Sequence, residues 1–318
     1  MQKIKAWIAA ARPRTLPLSI SGVILGASLG WSAVQQQLPT TGSPDESILQ
    51  LKRPEIWGQP IFWLAILATI GFQVLSNFAN DYGDGVKGTD AHRKGEQRMV
   101  ASGIISPRQM KRGMIITGII TLFVASILIF MAFGNEQFLL SFVFFNLTLA
   151  AILAAVKYTV GKSAYGYSGF GDIFVFLFFG LLSVLGSYFL FTKSLSSTMV
   201  LPAVSVGLFS AAVLNLNNMR DISSDAAVGK NTIVVKKGIR WAKRYHMVLI
   251  FFGIICALTY TFLEFDEPER YLYAVAFIPL LLNVRTVVRN KEPEKLDSEL
   301  KKVALSTFAF AILFSWLH

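Results

Sequence analysis

The chain has 318 residues, 53% of them hydrophobic and 15% charged, with a mean hydropathy of +0.53. That is too apolar for a water-soluble globule and specifies an all-α, polytopic protein of a lipid bilayer. In such a chain a formal charge of +11 marks inner loops and contacts with anionic lipid, so no nucleic-acid partner is expected, and a single cysteine, Cys256, excludes an intramolecular disulfide.

About nine spans can be drawn, at 15–34, 61–79, 113–133, 138–156, 170–191, 199–218, 247–263, 271–288 and 303–317, with no soluble domain between them, so 1–318 reads as one transmembrane domain. Lys3, Lys5, Arg12 and Arg14 precede the first span and give it the outline of a secretory signal. No small-x-small cleavage site follows and the run is long enough to cross, so it reads as a first transmembrane helix. Within it Gly22, Gly26 and Gly30 recur at every fourth residue. They form a smooth stripe for a neighbouring helix, or alternatively for a second copy. The connector 35–60, with Pro39, Gly42, Pro44 and Pro54, carries no charge cluster that points to chemistry.

The second span closes on Asn77-Phe-Ala-Asn80-Asp81-Tyr-Gly-Asp84. If the helix continues that far, Asn77, Asp81 and Asp84 stand at i, i+4 and i+7 on one face. Lys87, Arg93, Lys94 and Arg98 follow. After the fourth span comes Lys157-Tyr158-Thr-Val-Gly-Lys162-Ser-Ala-Tyr165-Gly-Tyr167. Its rings either anchor the chain at the interface or present π faces to a developing cation. Phe174, Phe176, Phe178 and Phe179 in the fifth span are core or lipid-facing residues, some of them able to line an isoprenoid groove. The sixth span closes on Asn217-Asn218-Met-Arg220-Asp221-Ile-Ser-Ser-Asp225, where Asp221 and Asp225 repeat the i, i+4 relation, and is followed by Lys230, Lys236 and Lys237. Cys256, inside the seventh span, reads as a small core residue. Pro279 is expected to kink the eighth.

Assigned to alternating sides, the inner segments hold 26 of the 30 Lys and Arg residues, and the outer ones only Lys52, Arg53, Lys193 and Arg270. The positive-inside rule then gives an N-in, C-out topology with both acid clusters at the cytoplasmic face. Carboxylates are costly at a bilayer, and two clusters at matching helix ends mark a functional site. Their oxygens suit Mg²⁺, which takes one or two carboxylates plus waters and phosphate oxygens. The nearby cations complete a site for a diphosphate, or are ordinary inner-loop charges; Arg98, Arg220 and Lys230 stand out by their place in the motifs. An EF-hand is excluded because Tyr82 occupies the third loop position and no closing Glu follows. His92 and His246 lie far apart and His318 is terminal, which argues against a histidine zinc site, and no nucleophile motif, P-loop or dinucleotide fingerprint is present. Intramembrane acids also mark ion paths, so a cation-coupled transporter is the alternative from another class.

The same residues carry a family resemblance. Asn80-Asp81-Tyr-Gly-Asp84-Gly-Val-Lys87-Gly, Arg98-Met-Val-Ala-Ser-Gly103, and Asn217-Asn218-Met-Arg220-Asp221-Ile-Ser-Ser-Asp225 with Gly229-Lys230-Asn-Thr resemble the UbiA superfamily of intramembrane prenyltransferases. Ala11-Arg12-Pro13-Arg14-Thr15-Leu16-Pro17 and Lys157-Tyr158 with Gly166-Tyr167 resemble its branch that acts on 1,4-dihydroxy-2-naphthoate. One departure is Gly88, where many relatives carry a further Asp; Asp90 is the nearest substitute. The resemblance implies nine helices around a central cavity. Asp81, Asp84, Asp221 and Asp225 would hold Mg²⁺ on a polyprenyl (or phytyl) diphosphate, assisted by Asn77 and Asn80. Arg98, Lys157, Lys162, Arg220 and Lys230 would neutralise the leaving group, while Lys87, Tyr158 and Asn217 complete the binding residues. It further implies 1,4-dihydroxy-2-naphthoate as acceptor, with loss of CO₂, in a bacterial inner membrane or a photosynthetic one. Other members act on 4-hydroxybenzoate or homogentisate, and those acceptors stay open at this point.

Overall fold

The computed structural model describes residues 2–37, 55–88, 98–161 and 164–318. Among them, nine helices are long and apolar enough to cross a membrane. They are α1 (Leu16–Gln36), α2 (Pro60–Lys87), α3 (Pro107–Phe133), α4 (Phe138–Lys157), α5 (Gly171–Thr192), α6 (Val200–Arg220), α7 (Ile239–Glu264), α8 (Pro268–Arg289) and α9 (Asp297–Leu317). Helices satisfy every backbone group within the segment, which is what a hydrocarbon environment demands.

The basic residues before α1 sit on a separate helix, Gln2–Ala11. Arg12 then takes a left-handed conformation (φ 51°, ψ 67°) and a short 3₁₀ turn, Pro13–Thr15, leads into α1. Proline disfavours α geometry in the residue before it, so Pro13 breaks the helix at Arg12. The glycine stripe of α1 is used within the chain. A Cβ at Gly22 would fall 2.5 Å from Ser183 Oγ, one at Gly26 would run into the Val184 carbonyl, and one at Gly30 would fall 2.8 Å from the Tyr188 carbonyl oxygen. Three successive turns of α1 thus lie directly against α5, a packing mode that only small residues permit.

α2 runs two turns beyond the apolar run and carries the first acid cluster on the helix itself. It stops at Gly88, whose backbone is left-handed (φ 73°, ψ 13°) and whose N–H is donated to the Asp84 carbonyl. Gly88, the departure from the family pattern, is therefore the residue that ends this helix, at a position where an L side chain would be strained. α5 is α-helical at Gly171–Val175, widens to a π-helix over Phe176–Leu182 and returns to α at Ser183–Thr192. In the widened stretch Gly180 lies against α6, where a Cβ would be 2.6 Å from both the Ala203 carbonyl oxygen and Gly207 Cα. α8 begins as a 3₁₀ helix, Pro268–Phe277, and becomes α at Ile278–Arg289. Pro279 does not kink an α-helix as expected: it stands in the first turn of one, where its missing N–H is not required.

α2 packs along α3, α6 along α7, and α1 between α5 and α9. One buried apolar cluster joins α5 to α9 through Phe209, Tyr273, Phe310 and Phe314, a second joins α1, α2 and α3, and a third seats the N-terminal helix under the end of α2. Cys256 is buried, as its apolar surroundings predict. His246 is buried too and bonds Asn283 at 2.6 Å, which in turn donates to Glu299 at 2.7 Å. That chain ties α7, α8 and α9 together. α4 leans on α2 and α3, and only Thr148 of it is buried.

Candidate active site

A cavity of about 350 Å³ lies between α1, α2, α3, α4 and α5, with Leu214 of α6 at its margin. Its wall follows α2 from Ala65 to Asn80, a length of about 22 Å at the helical rise. Along most of that length the lining is apolar, with Val23, Phe72, Leu128, Phe144 and Phe178. At the inner end it turns polar, at Gln73, Asn77, Asn80, Tyr158 and Tyr165. Asp81 and Asp84 follow Asn80 on α2, just beyond that end.

In the first cluster the two acids have different surroundings. Asp81 is buried, and its two carboxylate oxygens accept the backbone N–H groups of Met99 and Val100, both at 3.0 Å. It thereby ties the chain segment that leads into α3 to the end of α2. Asp84, one turn on, accepts the Tyr167 hydroxyl at 2.5 Å and lies 3.9 Å from Arg98 Nη2. Lys87 donates to the Thr159 carbonyl at 3.0 Å. Asn77 donates to the Ala11 carbonyl at 2.9 Å and to Thr15 Oγ1 at 3.2 Å, fixing the entry to α1 against α2. Asn80 accepts the Thr159 hydroxyl at 3.1 Å.

The second cluster is built around Arg220. Its Nε and Nη2 donate to the two oxygens of Asp221 at 2.7 and 2.8 Å, Nη2 also donates to Asn217 Oδ1 at 2.8 Å, and Nη1 donates to Asp297 at the start of α9. A guanidinium held by two carboxylates is a structural anchor first; it fixes the rotamer of Asp221 and joins α6 to α9. Asp225 is buried on the following short helix, Ile222–Ala227, with Lys230 Nζ 3.3 Å from its Oδ1.

Tyr167 brings the two clusters together. Its hydroxyl reaches Asp84, its ring lies 3.8 Å from Lys87 Nζ and 5.9 Å from Lys230 Nζ, and its carbonyl accepts the Asn231 N–H at 3.0 Å. Both helix ends therefore face the same space at the mouth of the cavity. Next to it three rings line the polar end of the cavity: Tyr165 stacks on Phe174 at 3.9 Å and meets Tyr158 edge-on at 5.3 Å. Burial pushes the Tyr158 phenol well up from its ordinary range, and Asp172, Tyr165, Asp84 and Asp225 push it further. It stays protonated at neutral pH and offers a neutral ring and hydroxyl, not a base.

Of the residues singled out from the sequence, Asn77, Asn80, Asp81, Asp84, Lys87, Arg98, Tyr158, Asn217, Arg220, Asp221, Asp225 and Lys230 gather at this end. Lys157 is exposed at the end of α4. Lys162, Asp90, Arg93 and Lys94, like Lys52 and Arg53 of the outer connector, lie outside the described residues. Two residues were missed. Thr159 is buried, donating to the Ala79 carbonyl at 2.8 Å and so pinning the segment after α4 to α2. Asp172, in the first turn of α5, is 5% exposed, and its Oδ1 is buried with no hydrogen-bond partner among the described residues. Hydropathy averaging hides a lone acid at the start of an apolar run; a search for single charges inside candidate spans would have found it.

The donors fit Mg²⁺. All are hard oxygens, and one carboxylate from each cluster, Asp84 and Asp225, is met by a hydroxyl or an ammonium. Among the described residues no three His, Cys, Asp or Glu side chains converge into a preformed cage. That suits a metal completed by waters and by the phosphate oxygens of a substrate.

Compared with known proteins, the UbiA prenyltransferase family matches residues 48–313. The 1,4-dihydroxy-2-naphthoate octaprenyltransferase of Haemophilus influenzae is 38% identical over 99% of this chain and 96% of its own length. That of Escherichia coli is 36% identical over 99% of this chain and 95% of its own. Among solved structures, a UbiA homolog from Archaeoglobus fulgidus bound to GPP and Mg²⁺ has the same fold, with a TM-score of 0.63 at 15% identity over 98% of this chain and 99% of that one.

Proposed function

Because the chain belongs to the UbiA prenyltransferase family and is an integral membrane prenyltransferase, we propose that it transfers a polyprenyl (or phytyl) group from its diphosphate to 1,4-dihydroxy-2-naphthoate. Diphosphate and CO₂ are released, and the product is the prenylated 1,4-naphthohydroquinone, the reduced form of demethylmenaquinone (or demethylphylloquinone). One juxtaposition carries the proposal: two acid clusters joined across Tyr167 at the polar mouth of an apolar cavity. The choice of acceptor is supported by the names of the relatives that match nearly the whole chain. A cation-coupled transporter is set aside by the family membership.

In the proposed site Asp84 and Asp225, backed by Asp81 and Asp221, would hold Mg²⁺, which when bound would supply charge neutralisation for the diphosphate. Lys87, Arg98 and Lys230 face the leaving group, with Lys157 and Lys162 as further cations. Arg220, oriented by Asn217, keeps Asp221 in place. Asn77 and Asn80 form the polar collar through which the first carbons of the chain enter. The apolar walls exclude water, and the rings of Tyr158, Tyr165 and Phe174 present their π faces where positive charge develops on the allylic carbons. The prenyl C–O bond breaks with its electron pair leaving on diphosphate. The ring carbon that bears the carboxylate forms the new C–C bond, and CO₂ departs leaving its bonding pair in the ring. No side chain has to remove a ring proton, consistent with a Tyr158 that stays protonated. The site is proposed to face the cytoplasm of a bacterial inner membrane, with the whole chain acting as one domain.

The test is the protein in liposomes with Mg²⁺, one prenyl diphosphate, and carboxyl-labelled 1,4-dihydroxy-2-naphthoate, 4-hydroxybenzoate or homogentisate in turn. Prenylation of the naphthoate with one CO₂ per transfer is expected. Transfer to one of the other acceptors alone sinks the assignment.

A further inference from the structure

Tyr167 belongs to neither acid motif, yet it is bonded to the first and to the loop that follows the second. Its hydroxyl donates to Asp84 Oδ1 at 2.5 Å, in the range of a charge-assisted O–H···O⁻ bond. Its ring lies 3.8 Å from Lys87 Nζ, the last residue of α2, and 5.9 Å from Lys230 Nζ, which is itself 3.3 Å from Asp225. Its backbone carbonyl accepts the Asn231 N–H at 3.0 Å, and the next residue, Ser168, offers its carbonyl to Lys236 at 2.7 Å. One short segment is thus fastened by main chain to the loop after the second motif and by side chain to the first.

We propose that Tyr167 is a positioning residue that sets the spacing between the two acid motifs, orients Asp84 for a divalent metal, and parks Lys87 and Lys230 where a diphosphate arrives. The inference rests on the donor half of the function proposed above. Mg²⁺ tolerates little departure from octahedral geometry, so a carboxylate that meets it only when substrate arrives has to be held in advance. The hydroxyl of Tyr167 does this for Asp84 as an outer-shell hydrogen bond does for any metal ligand, where loss typically costs about 10–100-fold in metal affinity. The ring does a second job. A π face attracts an ammonium only moderately, enough to help place Lys87 yet weak enough to give it up to a phosphate oxygen.

The two jobs separate by substitution. Tyr167→Phe removes the hydroxyl and keeps the ring; Tyr167→Leu removes both. The readout is binding of geranyl S-thiolodiphosphate, an inert donor analogue, to the full chain in detergent by calorimetry, as a function of Mg²⁺, with thermal unfolding alongside. Tyr167→Phe is expected to raise the Mg²⁺ concentration for half-maximal analogue binding about 10–100-fold, with analogue affinity at saturating Mg²⁺ and melting temperature near wild type. Tyr167→Leu is expected to weaken analogue binding at saturating Mg²⁺ as well. A wild-type Mg²⁺ requirement in Tyr167→Phe overturns the inference. So does a Tyr167→Leu protein that melts earlier but binds Mg²⁺ and analogue as wild type does, since that is a merely structural tyrosine. The measurement needs no acceptor. A wrong naphthoate assignment would appear in the transfer assay and leave it intact, whereas wild-type protein that binds no analogue with Mg²⁺ would sink the donor site and this inference together.

Discussion

Asp81 and Asp84 stand one turn apart on the same face of α2 and make opposite kinds of contact. Asp81 accepts two buried backbone N–H groups from residues 99 and 100, so its charge is already used to hold the chain together. Asp84 meets a hydroxyl and lies beside Arg98 at the cavity mouth. Asp81→Ala would leave two amides without an acceptor, at about 1–3 kcal/mol each, and is expected to lower the melting temperature in detergent along with activity. Asp84→Asn can still accept from Tyr167; it should melt near wild type and lose Mg²⁺-dependent prenyl transfer by at least about 100-fold. Equal melting temperatures for the two variants would show that Asp81 is not structural. The i, i+4, i+7 spacing from Asn77 identified both acids from the sequence. It had no means of telling them apart, because the amides of Met99 and Val100 arrive from a segment whose path is set by packing.

At the scale of elements, the boundaries follow local chemistry wherever one residue type dictates the backbone. Gly88 ends α2 with a positive φ, Pro13 breaks the chain before α1, and Pro279 starts an α-segment after a 3₁₀ stretch. Contacts between elements are less legible. The Gly22, Gly26 and Gly30 stripe announces a close approach but not the partner; packing chose α5, where the Phe179, Val184 and Tyr188 backbone and the Ser183 side chain fill the stripe. Gly26→Ala should destabilise by about 1–3 kcal/mol, since its Cβ meets backbone that cannot swing away. Gly118→Ala on α3 has only Leu75 Cδ2 near, at 3.9 Å, and should be neutral or gain up to about 1 kcal/mol from helix propensity. Thermal unfolding of the pair in one detergent checks both signs, and a Gly26→Ala as stable as wild type would refute the tight α1–α5 contact.

For the whole molecule, an even number of crossings between the ends of α2 and α6 places both acid clusters at one end of the bundle, and the contacts of Tyr167 to each of them agree. By the positive-inside count that end is proposed to face the cytoplasm. Alkaline phosphatase fused after His318 or inserted at Asp266 should then be active in a bacterial host, and inactive when inserted at Gly103 or Gly229. The reverse pattern would invert the topology and turn the site outward. The sequence by itself determined the nine crossings, the pairing of acids with cations and the family, because hydropathy, helical periodicity and motif order are local properties of the chain. Only the tertiary structure decided which acid is tied into backbone amides, that Arg220 is committed to Asp221 and Asp297, that Tyr167 joins the motifs, and that Asp172 is a buried acid beside them. Each of those depends on side chains far apart in sequence meeting across helix faces, and a meeting of that kind is set by packing of the bundle as a whole.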